Sequence, residues 1–255
     1  MLMQDKTGFV AGVANHRSIA WSIARALDRE GARLAIGYLG EREREGIEKI
    51  VGELSTPPLL VRCDVGDAAS VEEAFARTGE ELGHLDFLVH AIAFAQREDL
   101  AGRFTDTSRE GYRLALEVSA YSLNVLVHAA EPLMREGGSV VTLTFLGSER
   151  AVPNYNVMGV AKAALESGVR YLAAELGEQG IRVNGLSAGP IKTLAARGIK
   201  DFPLMQRVHA ERAPLRRNVD VEEVADTAVF LCSHWSRGMT GEVLYVDGGF
   251  RIVAA

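Results

Sequence analysis

The chain has little from which to build a disulfide framework, a membrane span or a flexible linker. Its two cysteines, Cys63 and Cys232, form no CxxC pair. That excludes a stapled fold and points to a reducing, cytoplasmic home. Prolines number 7 against 26 glycines, which reads as close backbone approach rather than low complexity. Apolar runs such as Ala228 to Cys232 fall far short of the ~20 residues that cross a bilayer, so no membrane span is expected. No basic stretch followed by an apolar one opens the chain, so no secretory signal is expected. A formal net charge of −6 argues against a nucleic-acid partner. The six histidines show neither HExxH nor paired spacing, so no metal site is expected. A lone histidine such as His90 reads as a core residue.

What is present is globular: 47% hydrophobic and 24% charged residues, close to the average for soluble domains. Apolar, strand-like segments fall at Phe9–Ala14, Arg33–Tyr38, Leu59–Cys63, Phe87–Ile92, Ser139–Phe145, Arg182–Leu186 and Val243–Val246. Most are apolar on both faces, as in a parallel sheet covered on both sides. Helical patterns lie between them. Ser18–Glu30 carries Ile19, Ile23 and Leu27 on one stripe and stops before Gly31. Another runs from Ser70 to Leu82, and Asp220 with Glu223 forms a capping-box pair. Longer helices are expected over Arg109–Met134 and Tyr155–Leu176. With no linker or repeat, residues 1–255 are read as a single doubly wound, Rossmann-like α/β domain with a seven-stranded parallel sheet. The stretch 192–217, with Gly198 and Pro203, is read as a mobile lid over the sheet's C-terminal edge.

Three local features carry chemistry. The first is the turn Gly12-Val13-Ala14-Asn15-His16-Arg17-Ser18-Ile19. Gly12 permits close approach, Ser18 can cap the helix or donate to phosphate, and no carboxylate intervenes, as a pyrophosphate site requires. It lacks the later glycines of GxGxxG, and an ordinary capped turn fits equally. The second is Asp64-Val65 after the third strand, a turn residue or an acceptor for an adenine amino group. Ile92, between Ala91 and Ala93, is either core or a flat cofactor wall. The third is Tyr155 with Lys162, seven residues apart on one helix face. A nearby ammonium favours phenolate and is expected to lower the tyrosine pKa; a half-buried tyrosine beside a surface lysine fits as well.

The pieces GVANHRSIAWSIA, CDV, HAIAFA, RAVPNYNVMGVAKAALE, IRVNGLSAGPIKTLAARGIKDF, APLRR and GEVLYVDGGF occur in this order over nearly the whole chain. They resemble the NADH-dependent enoyl-acyl-carrier-protein reductases, a divergent branch of the short-chain dehydrogenase/reductase superfamily. Most of the superfamily uses Tyr-x3-Lys, but Met158 stands four before Lys162. The Tyr-x6-Lys pattern of Tyr155 and Lys162 matches the enoyl reductases. The resemblance implies reduction of the trans-2 double bond of enoyl thioesters on acyl carrier protein, in fatty acid biosynthesis. It implies that Tyr155 hydrogen-bonds the thioester carbonyl and that Lys162 holds the nicotinamide ribose. Gly12, Val13, Ser18, Ile19, Leu39, Asp64, Val65 and Ile92 would line the dinucleotide. Ile191, Lys192, Thr193, Leu194 and Ala195 would cover the nicotinamide and pyrophosphate. Ala95, Phe145 and Met158 would meet the acyl substrate. A homotetramer packed through the two long helices is also implied.

One position departs from the family. Phe145 stands where the family places a second tyrosine, ten residues before Tyr155, so the ring is kept and the hydroxyl lost. Three readings follow: the hydroxyl is dispensable, the enoyl or carbonyl substrate differs, or the chain is a weak paralogue. At the end of the second strand, in Tyr38-Leu39-Gly40-Glu41-Arg42, the neutral Leu39 stands directly after the strand, not an acidic residue that would bind a ribose 2′-hydroxyl. The neutral Leu39 favours NADH over NADPH. Arg42 and Arg44, alternating with glutamates, read as a solvated helix face. Lys192, Arg197, Lys200, Arg207, Arg212, Arg216 and Arg217 face only Asp201 and Glu211 within 192–217. These are either solvated basic helix faces or a patch that steers an acidic carrier protein. Finally, Gly185-Leu186-Ser187-Ala188-Gly189 fits a nucleophile elbow, so a serine hydrolase acting through Ser187 is the rival from another class. A dinucleotide-binding sensor is the non-enzyme rival.

Overall fold

Residues of the first strand, β1 (Thr7–Ala11), alternate between two cores: Val10 enters one, Phe9 and Ala11 the other. The same alternation holds at Val140 and Val141 and at Val183 and Leu186. These strands are buried on both faces, which is why their sequence reads as continuous apolar runs. A computed structural model describes residues 1–254, apart from the side chains of Ala195 and Arg197.

The other strands are β2 (Arg33–Tyr38), β3 (Leu59–Arg62), β4 (Phe87–His90), β5 (Gly138–Thr144), β6 (Ile181–Ala188) and β7 (Val243–Val246). They form one parallel sheet in the order β3-β2-β1-β4-β5-β6-β7. The order reverses between β1 and β4, which opens a crevice at their C-terminal ends.

The helices are α1 (Ile19–Arg29), α2 (Glu41–Glu48), α3 (Ala68–Leu82), α4 (Arg97–Leu100), α5 (Arg109–Leu116), α6 (Ser122–Ala130), α7 (Asn156–Leu176), α8 (Phe202–Arg212) and α9 (Val221–Cys232). One face of the sheet packs on Ile23 and Leu27 of α1, Ile47 of α2 and Val224 of α9. The other packs on Phe75 of α3, Leu126 of α6, and Leu165 and Val169 of α7. Asp220 and Glu223 form the expected capping box of α9. Both cysteines are free and buried, and burial pushes each thiol up to about 12.

Several expected boundaries shift. β1 ends at Ala11 rather than Ala14, because Gly12 takes φ +100° and leaves the extended region. β4 stops at His90, so Ile92 lies in the following loop. β5 stops at Thr144, one residue before Phe145. The single long helix expected over 109–134 runs without a gap from Arg109 to Leu133, but changes its winding on the way. A π turn at Glu117–Tyr121 separates α5 from α6. There the Ser119 hydroxyl accepts from the amide of Phe94 (2.9 Å) and donates to its carbonyl (3.0 Å), tying the turn to the β4 loop.

Candidate active site

The crevice between β1 and β4 is narrow because Gly12 has no side chain. A Cβ there would lie 2.2 Å from the carbonyl oxygen of Ala91. The loop that follows folds around Ser18, whose hydroxyl accepts from the amides of Ala14 and Asn15, both at 3.1 Å. Ser18 therefore shapes the loop and leaves its own proton free to donate. It makes no side-chain cap to α1; the Trp21 amide bonds the Ser18 carbonyl at 3.0 Å, which leaves the first-turn amides of Ile19 and Ala20 available to an anion. Val13 is buried against the α1 core.

Asp64 and Val65 follow β3. One Asp64 oxygen accepts from the amide of Gly66 at 3.0 Å, and Asp67 caps α3. Asp64 is thus a turn former with its second oxygen uncommitted, rather than a helix cap. Val65 and Ile92 are half-buried against the α3–α7 core. Leu39 is 55% exposed beyond β2. Gly40 then caps α2, where Arg44 bonds Glu48 at 2.9 Å. The Arg44 side chain belongs to the solvated helix face, as read from the sequence. These groups, with Gly12 and Ser18, follow the C-terminal ends of β1, β2, β3 and β4, where the strand order reverses.

Tyr155 caps the N-terminus of α7, between the positive-φ residues Asn154 and Asn156. Both Tyr155 and Lys162 are buried, and Met158 joins them on the inner face of the helix. The ring of Tyr155 lies against Gly147, where a Cβ would come within 2.5 Å of it. The Lys162 Nζ donates to the carbonyl of Leu143 at 2.8 Å. Burial draws its pKa down to about 8, while the Glu166 carboxylate raises it.

The expected fall in the tyrosine pKa is not found. Burial pushes the Tyr155 phenol above its ordinary value, and Glu166 adds to the rise. The desolvation penalty on phenolate outweighs any help from the lysine. Tyr155 stays a protonated hydrogen-bond donor.

Tyr155 and Met158 share one apolar cluster with Leu100 and Ala161, and Ala95, Leu116, Phe145, Val152 and Ile199 pack against it. The three residues assigned to the acyl substrate, Ala95, Phe145 and Met158, therefore meet around Tyr155. Leu100, Leu116 and Ile199 were not singled out in the sequence. Each is an ordinary aliphatic residue whose only signal is its three-dimensional neighbourhood.

The segment from Ile191 reaches this cluster at Ile199. Ile191 packs on the α1 core, Lys192 and Leu194 are exposed, and the Thr193 hydroxyl accepts from the amide of Ala196 at 3.1 Å. The side chains of Ala195 and Arg197 lie outside the described residues. α8 is moored by Gln206 to the carbonyl of Pro190 (2.9 Å), and Asn154 reaches the carbonyl of Lys200 (3.1 Å). Arg217 pairs with Glu223 at 2.7 Å, and Arg207 approaches Glu211 at 3.9 Å. Lys192, Lys200 and Arg212 are exposed.

Ser187 does not sit on an elbow. It lies inside β6, which continues to Ala188, and its buried hydroxyl finds no partner among the described residues. The oxyanion-hole helix that a hydrolase needs behind its serine is replaced by a loop. His90 is a satisfied core residue: Nδ1 meets the Thr142 hydroxyl and Nε2 the Ser122 hydroxyl, both at 2.8 Å.

Comparison with known proteins converges on one group. A family profile described as "Enoyl-(Acyl carrier protein) reductase" matches residues 12–251. The chain is 53% identical over 253 residues to the enoyl-[acyl-carrier-protein] reductase [NADH] FabI of Bacillus subtilis, covering 99% of this chain and 98% of that protein. It is 49% identical over 252 residues to the NADPH enzyme of Staphylococcus aureus, covering 98% of each. Its fold matches the Bacillus cereus enoyl-acyl carrier protein reductase, crystallised with NADP+ and an indole naphthyridinone. That match has a TM-score of 0.98 and 50% identity over 100% of this chain and 99% of that one.

Proposed function

The chain belongs to the enoyl-acyl-carrier-protein reductase family, and from that premise we propose that Tyr155 and Lys162 carry its reaction. The protein is an enoyl-[acyl-carrier-protein] reductase of fatty acid biosynthesis, acting on carrier-linked enoyl thioesters. The observation that carries the residue assignment is the gathering of Ala95, Phe145 and Met158 around a buried Tyr155, with Lys162 on the same helix face.

A bound nicotinamide dinucleotide supplies the hydride. Tyr155 donates a hydrogen bond to the thioester carbonyl, whose oxygen gains negative charge as the β-carbon is reduced. A donor already in place stabilises that charge without reorganisation. Its raised pKa suits this task, because a phenol that ionised early could not donate. Lys162 holds the ribose hydroxyls. Gly12, Val13, Ser18, Ile19, Asp64, Val65 and Ile92 cradle the rest of the dinucleotide. Residues 191–195 cover it.

NADH is the preferred cofactor. Leu39, directly after β2, is neutral and Arg44 is engaged with Glu48, so NADPH binds more weakly but is not excluded from the site. Exposed Lys192, Lys200 and Arg212 steer the acidic carrier protein. A homotetramer through α5–α6 and α7 is supported by Tyr121 and Tyr171, which stand 62% and 77% exposed on those helices and invite cover. Among the described residues no helix is long and apolar enough to cross a membrane.

The test is oxidation of NADH with crotonyl and longer trans-2-enoyl thioesters, beside 3-ketoacyl thioesters as control. Turnover of the enoyl series alone is expected. Turnover of the ketoacyl series alone would show that Phe145 marks a different substrate.

A further inference from the structure

A carboxylate sits on the inner face of α7 with no cation within ion-pair reach among the described residues. Glu166 is 7% exposed, on a face where Lys162 is the only other charged residue and Val157, Met158, Ala161, Leu165, Val169 and Leu172 are apolar. Burying an unpaired carboxylate is costly, so the position calls for a reason. Its one direct partner is the hydroxyl of Thr144, which donates to Oε1 at 2.6 Å. Lys162, one turn earlier on the same row of the helix, ends on the carbonyl of Leu143. The two side chains therefore finish on consecutive residues of β5, the lysine and the glutamate side by side.

Every other titratable group facing this pair is neutral. His90 stands on β4. The Ser122 hydroxyl donates to the carbonyl of Val118 at 2.6 Å, so it must accept from His90 Nε2–H. Nδ1 then accepts from Thr142, and the imidazole is fixed as a neutral tautomer. Tyr155 is a protonated phenol. Tyr245 on β7 donates to Glu149 at 2.7 Å, and Glu149 is closed by Arg251. Charges on the other elements packed against α7 are spent elsewhere: Asp99 accepts from the amide of Ser108, and Arg113 pairs with Glu110 and Glu117. Among the buried residues of α7, Glu166 is the one carboxylate beside the lysine.

We propose that Glu166 is a positioning residue for the reductase reaction: hydrogen-bonded to Thr144, it keeps the neighbouring Lys162 in its ammonium form at the cofactor ribose. This rests on the assignment of Lys162 to the cofactor. The carboxylate's upward pull on the Lys162 pKa has the sign the proposal needs. So does its upward pull on Tyr155. One charge favours the protonated form of both groups.

The experiment is calorimetric NADH affinity across pH 6–10 for the full chain and for Glu166→Gln, Glu166→Asp and Lys162→Met. Glutamine keeps an acceptor for Thr144 and removes only the charge. In Glu166→Gln the alkaline midpoint of NADH affinity should move down by about one pH unit, while Glu166→Asp, which restores the charge, should stay within about 0.3. An unmoved midpoint in Glu166→Gln overturns the proposal. Lys162→Met separates the two assignments. If it binds NADH as tightly as the parent at pH 7, the lysine assignment fails and the glutamate proposal with it. If it binds weakly and shows no alkaline midpoint, the glutamine result alone decides. Should Glu166→Gln melt early, the Lys162 13Cε resonance of the parent protein replaces it. Titration near or above pH 8 is expected, and titration below pH 7 overturns the proposal.

Discussion

The ring of Phe145 stands edge-on to that of Tyr155, with centroids 4.9 Å apart and planes at 63°. Edge-to-face pairs of this kind add about 0.5–1.5 kcal/mol beyond burial. Phe145 therefore supports the wall behind the donor with its ring alone. Phe145→Tyr, which adds a hydroxyl to an already aromatic site, should change kcat with a trans-2-enoyl thioester by less than about tenfold, against the ~100-fold or more that a lost oxyanion donor costs. Steady-state kinetics check this. A rise of a hundredfold or more would mean that the parent is tuned to another substrate.

Lys162 makes the active site unstable for its function. Its pKa of about 8 in the fold lies below its ordinary 10.5, so between those values the unfolded chain binds the extra proton. Stability linked to this group rises as pH climbs through that window, and the cost of the buried ammonium is complete below about pH 8. Lys162→Met should thus stabilise the ligand-free protein at pH 7 by about 1–3 kcal/mol, several degrees in Tm. The gain should fade towards pH 10. Calorimetry at both pH values checks this; a Tm lowered equally at both would contradict it.

α8 and the segment before it are tied by Gln206 to Pro190, by Asn154 to Lys200 and by the stacking of His209 on Phe250, while Lys192, Lys200 and Arg212 stand exposed. Amide exchange over 192–217 should be fast in the ligand-free protein and slow once cofactor and an acyl ligand are bound. Lys200 is exposed, and Arg207 holds Glu211 only at 3.9 Å. Changing both to Glu should raise KM for carrier-linked substrate more than for a coenzyme A thioester. Equal effects would make the patch a plain solvated surface.

Much of the fold was legible because burial on both faces writes itself into strand composition. β2 and β7 run over the segments expected of them. The Tyr-x6-Lys spacing pointed to two residues that the fold buries on one side of α7, and glycine at position 12 to a turn that passes close to Ala91. The π turn between α5 and α6 was not legible, since it goes with Ser119 bonding a loop far away in sequence. The protonation of Tyr155 was misread for a related reason. Helix spacing reports that a lysine is near, but not that the cavity is dry. Glu166 left one faint signal, a charge four residues after Lys162 on a stripe otherwise apolar. Its partner Thr144 becomes apparent only when β5 lies beneath α7.

The central claim is that Tyr155 is the sole phenol donating to the developing oxyanion. Its most direct test is Tyr155→Phe, measured for both kcat with trans-2-enoyl thioester and Kd for NADH. Loss of one oxyanion donor costs about 2.7–4 kcal/mol, roughly a hundred- to a thousandfold in rate. The account predicts a fall of that size in kcat with NADH affinity nearly intact. Full activity in Tyr155→Phe would contradict it.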